Sequence, residues 1–235
     1  MPGHYHFDIA RLEVGPMQNL VYLIGDHGSS RTAVIDPTGG ISAVLNVSRA
    51  WKKEITDVLI SHRHRDRVDD LPELLMRCDA KVHLSREEVA FWKEAPLGRV
   101  VAHRDGDQIS VGNTIIEIIH TPGHTPGSAC FHLDGHLFTG GTLLVFGCGR
   151  CDLPGGDARQ MLVSLCRLQA RFPGSTRVMP GHHYAHQAIS TLAEQTWGNP
   201  FFHFKDVETF VQFRAEHNEH RHPPYQPVPP GTAAW

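Results

Sequence analysis

The chain has 235 residues, 40% of them hydrophobic, which is enough for one sizeable core. A formal charge of -3 with neutral histidines, and no basic stripe, gives nucleic-acid binding no electrostatic support. No apolar run reaches membrane-spanning length, the start Met1-Pro2-Gly3-His4-Tyr5-His6 lacks an apolar leader core, and five scattered cysteines fit reduced thiols, so a cytoplasmic protein without membrane contact is expected.

In chain order, β-branched and apolar runs predict strands near 17–24, 31–36, 57–60, 80–83, 114–119, 128–133 and 136–139. Helices are predicted near 41–51, 68–77, 85–94, 157–171 and 186–196, with a further one within Phe201 to His217. In the 157–171 segment Met161, Leu162, Leu165, Leu168 and Phe172 fall at helical spacing behind Asp157, a natural N-cap. That stripe reads as core. The proline-rich Arg221 to Pro230 cannot sustain a helix or a ladder, and should form an extended tail that wraps either the body or a partner subunit. We therefore expect one domain over 1–220 and a tail over 221–235. Alternation alone permits a doubly wound sheet as well as a sandwich of two sheets.

Ser61-His62-Arg63-His64-Arg65-Asp66-Arg67 is the segment richest in chemistry. Two alternating histidines and a carboxylate follow the buried-strand pattern Thr56-Asp57-Val58-Leu59-Ile60, and strand ends are where α/β folds place their sites. His124, in Thr121-Pro122-Gly123-His124-Thr125-Pro126-Gly127, and His182, in Met179-Pro180-Gly181-His182-His183, each sit in a Gly/Pro turn after an apolar run. Any one loop histidine among the 18 in this chain is most often an ordinary surface residue; the ordered set carries the weight.

That set resembles the metallo-β-lactamase superfamily, whose pattern is HxHxDH, a later His, a bridging Asp and a final His. Gly15 to Ile24 and Ala33-Val34-Ile35-Asp36-Pro37 look like its opening strands. Leu137-Phe138-Thr139-Gly140-Gly141-Thr142-Leu143, Gly147-Cys148-Gly149-Arg150 and Pro180-Gly181-His182-His183-Tyr184 are similar to the glyoxalase II and persulfide dioxygenase branch. The resemblance implies an α/β fold of αββα type, a first metal site of His62, His64 and His124, and a second of Asp66 and His182.

Two positions depart from the pattern: Arg67 stands for the second His of HxHxDH, and Gly141 for the bridging Asp. One metal is therefore expected, zinc first and iron as the alternative. The zinc β-lactamases often carry HxHxDR, but Thr142 occupies the place of their cysteine ligand, and Cys148 and Cys151 are left out of the ligand set. Arg67 is expected to pair with a neighbouring carboxylate such as Asp66, or to meet a substrate anion. By resemblance Arg150 and Tyr184 would bind the thiol half of a substrate, although Asp152 replaces an expected aromatic residue and the helical C-terminal domain of glyoxalase II is absent.

The catalytic roles so implied are Asp66 as base or water-orienting group and His182 as acid. A thioester suits a site short of a second ion, because a thiolate leaves with little acid help. The leading expectation is a thioester hydrolase acting on a small acyl thiol or a carrier-bound acyl group, and a homodimer is compatible with it. Alternatives are a lyase, cyclase or decarboxylase, an iron-dependent persulfide dioxygenase, and a non-catalytic binding protein. His183 and His186 are either surface residues or replacement ligands.

Overall fold

The computed structural model describes residues 5–93, 95, 99–216 and 223–232. The first half of the chain forms strands β1 (Phe7–Val14), β2 (Asn19–Asp26), β3 (Arg31–Ile35), β4 (Glu54–Leu59), β5 (Lys81–Ser85) and β6 (Val100–His103), hydrogen-bonded in that order. β1, β2 and β3 run antiparallel, and β3 to β6 are parallel. The second half builds another six-stranded sheet from β7 (Gln108–Val111), β8 (Thr114–His120), β9 (Ala129–Leu133), β10 (His136–Gly140), β13 (Arg177–Pro180) and β14 (Ser190–Thr191). Between β10 and β13 a two-residue hairpin, β11 (Leu143–Leu144) and β12 (Gly147–Cys148), leaves the sheet.

The sheets face one another. Alternate residues of β2 show why: Leu20, Tyr22 and Ile24 point into a core shared with Ile116, Ile118, Phe131 and Phe138 of the second sheet. Val21 and Leu23 point the other way, onto α1 (Ile41–Ala50) and α3 (Leu71–Arg77), through Val44, Leu45, Leu71 and Leu74. On the far side α5 (Ala158–Arg171) buries Met161, Leu162, Leu165 and Leu168, and Asp157 caps it by accepting from the Gln160 amide. Helices outside two facing sheets make the αββα sandwich.

Several elements differ from the sequence expectations. The helix expected at 68–77 is two pieces, α2 (Arg65–Val68) and α3, the latter opening with Pro72 in its first turn. The one at 85–94 is the short α4 (Arg86–Phe91), capped by Ser85, and residue 94 lies outside the described residues. The one at 186–196 starts late: Ser190–Thr191 is strand, and a capping box between Thr191 and Glu194 starts α6 (Leu192–Gly198). Pro200–Phe202 is a 3-10 turn and α7 spans Val207–Glu216, with residue 217 outside the described residues. From 223 the tail is extended and wraps the body: Tyr225 bridges to Ala185, and the Val228 amide donates to Gly198 O. No helix among the described residues is long and apolar enough to cross a membrane.

Candidate metal centre

Each histidine is aimed by a specific bond. Beyond β4, Ser61 donates its amide to Asp36 Oδ1 at 2.7 Å and its hydroxyl to Asp36 Oδ2 at 2.6 Å. The same hydroxyl accepts from His62 Nδ1 at 2.9 Å, which turns the Nε2 lone pair of His62 inward. Asp36 follows β3 with φ 49°, a left-handed conformation unusual for a non-glycine residue, held here by its bonds to Ser61. His124, after β8, donates Nδ1–H to Arg150 O at 2.7 Å, which leaves Nε2 as the acceptor nitrogen. The turn before it needs glycine: Gly123 has φ 136°, and a Cβ there would lie 2.4 Å from the Met161 backbone.

His64, at the start of α2, completes the set, its Nδ1 lying 3.0 Å from His124 Nε2. One ligand nitrogen from each of His62, His64 and His124 lies within 4.8 Å of the other two. Burial, reinforced by neighbouring positive groups, holds all three below the usual imidazole pKa, His124 down to about 3. Neutral imidazoles with converging lone pairs are the state a metal requires, so the residues present fit one zinc or iron ion.

The second position is filled by protein. Arg67 is fully buried, and its Nε lies 3.4 Å from Asp66 Oδ2. A Cβ at residue 181 would stand 2.7 Å from Arg67 Nη2, so Gly181 makes the room the guanidinium occupies. His182 Nε2 is also 3.4 Å from Asp66 Oδ2, and its Nδ1 donates to Met17 O at 3.1 Å. Asp66 and His182 thus stand together, with Arg67 beside them where the pattern has a histidine. Arg67 does not line the cavity; its charge faces Asp66 and, through space, Asp36. Gly141 is equally constrained, because a Cβ there would meet His124 Cδ2 at 2.5 Å and His62 Cε1 at 3.0 Å. Among the described residues the three histidines are the one group of three or more potential ligands. His183 bonds Glu13 at 2.8 Å and His186 bonds Gln226 at 2.6 Å, so neither serves as a replacement ligand.

A cavity of about 500 Å³ opens onto the histidines, walled by Met17, Asp66, Arg150, His182, Tyr184 and others. Tyr184 stacks on His182, ring centroids 4.6 Å apart. Arg150 reaches the cavity, but Asp152 holds it in a two-pronged ion pair at 2.5 and 2.8 Å. Cys148 lines the cavity as well; burial pushes the Cys151 thiol up to about 12, far from a reactive thiolate.

A sequence model of the metallo-beta-lactamase superfamily matches residues 14–182. The chain belongs to the metallo-β-lactamase superfamily. Within the superfamily it is 30% identical over 201 residues to BaeB of Bacillus velezensis, named a probable polyketide biosynthesis zinc-dependent hydrolase, covering 86% of this chain and 89% of that protein. It is 33% identical over 184 residues to hydroxyacylglutathione hydrolase of Fuscovulum blasticum, covering 77% and 69%. The crystal structure of ETHE1 from Myxococcus xanthus superposes with a TM-score of 0.82 at 30% identity, covering 93% of this chain and 94% of that one.

Four residues of this superfamily site escaped the sequence reading. Asp36 and Ser61 had a faint signal, a polar residue ending each of two apolar runs. Arg214 and Tyr225 had none: both line the cavity from segments beyond the last motif, α7 and the tail.

Proposed function

We propose that this superfamily member is a hydrolase with one metal per chain, acting on a thioester of a small or carrier-bound thiol. The observation that carries the reading is the pairing of a complete three-histidine set with a second position occupied by Arg67. The hydrolase names of its relatives support it, one being called zinc-dependent and another acting by name on an acylglutathione. His62, His64 and His124 would hold the ion, which when bound supplies Lewis-acid polarisation of a carbonyl and a water acidified toward a pKa of about 7.

The chain's own residues do the rest. Asp66, held beside Arg67, orients the water and accepts its proton on Oδ2. His182 Nε2, 3.4 Å away, shares that proton and returns it toward the departing sulfur, while its bond to Met17 O keeps the ring in place. Tyr184 holds the substrate against His182 and stays a neutral phenol, since burial raises its pKa. A thiolate needs little protonation to leave, which suits a site with one ion.

The test is metal content per chain on untagged protein, together with thiol release from a panel of thioesters. About one zinc, lost in His62→Ala, with thiol release, agrees with the proposal; a metal-free active protein would end it. The same three histidines would also hold iron. Oxygen uptake with a persulfide, and no thiol release, would favour the dioxygenase alternative.

A further inference from the structure

The wall of the cavity farthest along the chain presents a charge that nothing in the proposed reaction uses. Arg214, on α7, is 5% exposed and lines the cavity. Its Nη2 donates to Gly149 O at 3.1 Å, its guanidinium lies 5.3 Å from the centroid of the Phe201 ring, and its Nε has no hydrogen-bond partner. The other guanidiniums at the cavity or buried behind it differ. Arg65 lines the cavity but is exposed, Arg150 is clamped by Asp152, and Arg67, although its nitrogens have no hydrogen-bond partner, pairs with Asp66 at 3.4 Å behind the wall. No carboxylate among the described residues forms a direct ion pair with Arg214: besides the Gly149 carbonyl and the Phe201 ring it meets the Cys151 thiol, and Asp152, paired with Arg150, acts on it only through space.

Burying a guanidinium without a counter-charge is unfavourable, and an anion in the cavity removes the deficit. Guanidinium geometry matches carboxylate and phosphate oxygens. Apolar contacts beside it, Phe201 and Phe213, exclude water and strengthen the attraction. We propose that Arg214 receives an anionic group of the substrate, a carboxylate or a phosphate, and so selects charged acyl thiols over neutral ones. The proposal rests on the thioester reading above. Either half of the substrate can carry the anion, and the two halves are separable by experiment.

S-succinyl- and S-butyryl-N-acetylcysteamine differ by one carboxylate on the acyl side. Phosphopantetheine and pantetheine differ by one phosphate on the thiol side. With an acyl-side anion, the wild-type protein prefers succinyl over butyryl in kcat/KM at least tenfold, and Arg214→Gln removes that preference while Arg214→Lys keeps most of it. With a thiol-side anion, the protein binds phosphopantetheine at least tenfold tighter than pantetheine by calorimetry, and Arg214→Gln equalises the two. A wild-type protein with neither preference, or a preference that survives Arg214→Gln, overturns the proposal. The wild-type arm also stands if a variant fails to fold. An Arg214-dependent phosphopantetheine affinity with no hydrolysis of any thioester would leave the anion site standing and remove the proposed reaction instead.

Discussion

Replacing Arg67 with methionine tests the claim that a fixed guanidinium stands in the second position. The side chain is fully buried, so a residue of similar length fills its space and the change is chiefly one of charge. One group affected is Asp36, which burial pushes up from a free aspartate's 3.8 and which Arg67, more than either bond from Ser61, holds down. Without Arg67, the folded-state pKa of Asp36, already raised by burial, rises further. Leaving a buried charge without its partner costs about 3–5 kcal/mol, and protonating the carboxyl relieves part of that cost. A folded pKa above the unfolded one means that the folded variant takes up a proton more readily than its unfolded chain, so its deficit relative to wild type shrinks as pH falls.

Urea unfolding of metal-free protein at pH 7 and at pH 5 measures this directly. We expect a loss of about 4 kcal/mol at pH 7, or about 8–16 °C in Tm for a domain of this size, and a smaller loss at pH 5. Arg67→Met combined with Asp36→Asn should recover at least half of the loss, because an amide needs no counter-charge. A loss below about 1 kcal/mol, or one equal at the two pH values, refutes the reasoning.

Other consequences are as specific. His62, His124 and His182 have folded pKa values depressed by burial, so below about 6.5 the unfolded chain binds protons that the folded one does not; metal-free stability should fall by up to about 1.4 kcal/mol per pH unit for each, and a flat profile from pH 7 to 5 contradicts this. Ser61→Ala removes the acceptor that orients His62 and should weaken zinc binding about tenfold in a chelator competition, with the stoichiometry retained. Gly141→Ala places a methyl 2.5 Å from His124 Cδ2 and should weaken zinc binding more than it lowers Tm; unchanged affinity would show that the ring moves freely. Deleting the chain from residue 223 removes Tyr225 from the cavity wall and should raise KM for a thioester with little change in kcat, whereas an unaltered KM would make the tail a bystander.

Much of this architecture could be read from residues alone, and the misses share causes. β2 and α5 were legible because their apolar positions are dense and regular. β1 was missed because it is an edge strand whose apolar residues are split between two faces, Ile9 toward the inter-sheet core and Leu12 and Val14 toward the helices, with Asp8, Arg11 and Glu13 interspersed, which mimics a polar loop. β6 and β7 are four residues each, too short for periodicity to register. The late start of α6 turns on a local side-chain bond, Thr191 with Glu194, that competes with the hydrophobic pattern. At the centre, Gly/Pro turns marked His124 and His182 in advance. The burial of Arg67 was not marked, because its environment is assembled from Asp36, Gly181 and Tyr22, residues far apart in sequence.

The three histidines are drawn from both sheets: His62 and His64 follow β4, and His124 follows β8. An ion held by all three is therefore a rivet across the seam of the sandwich as well as a reagent. Neither half of the chain owns a complete ligand set, so fragments divided in the loop between β6 and β7 would each bind metal poorly, and together would regain affinity only by docking face to face. Metal uptake thus doubles as a gauge of how firmly the two layers are joined, and chelation should loosen the sandwich at its seam before it disturbs either sheet.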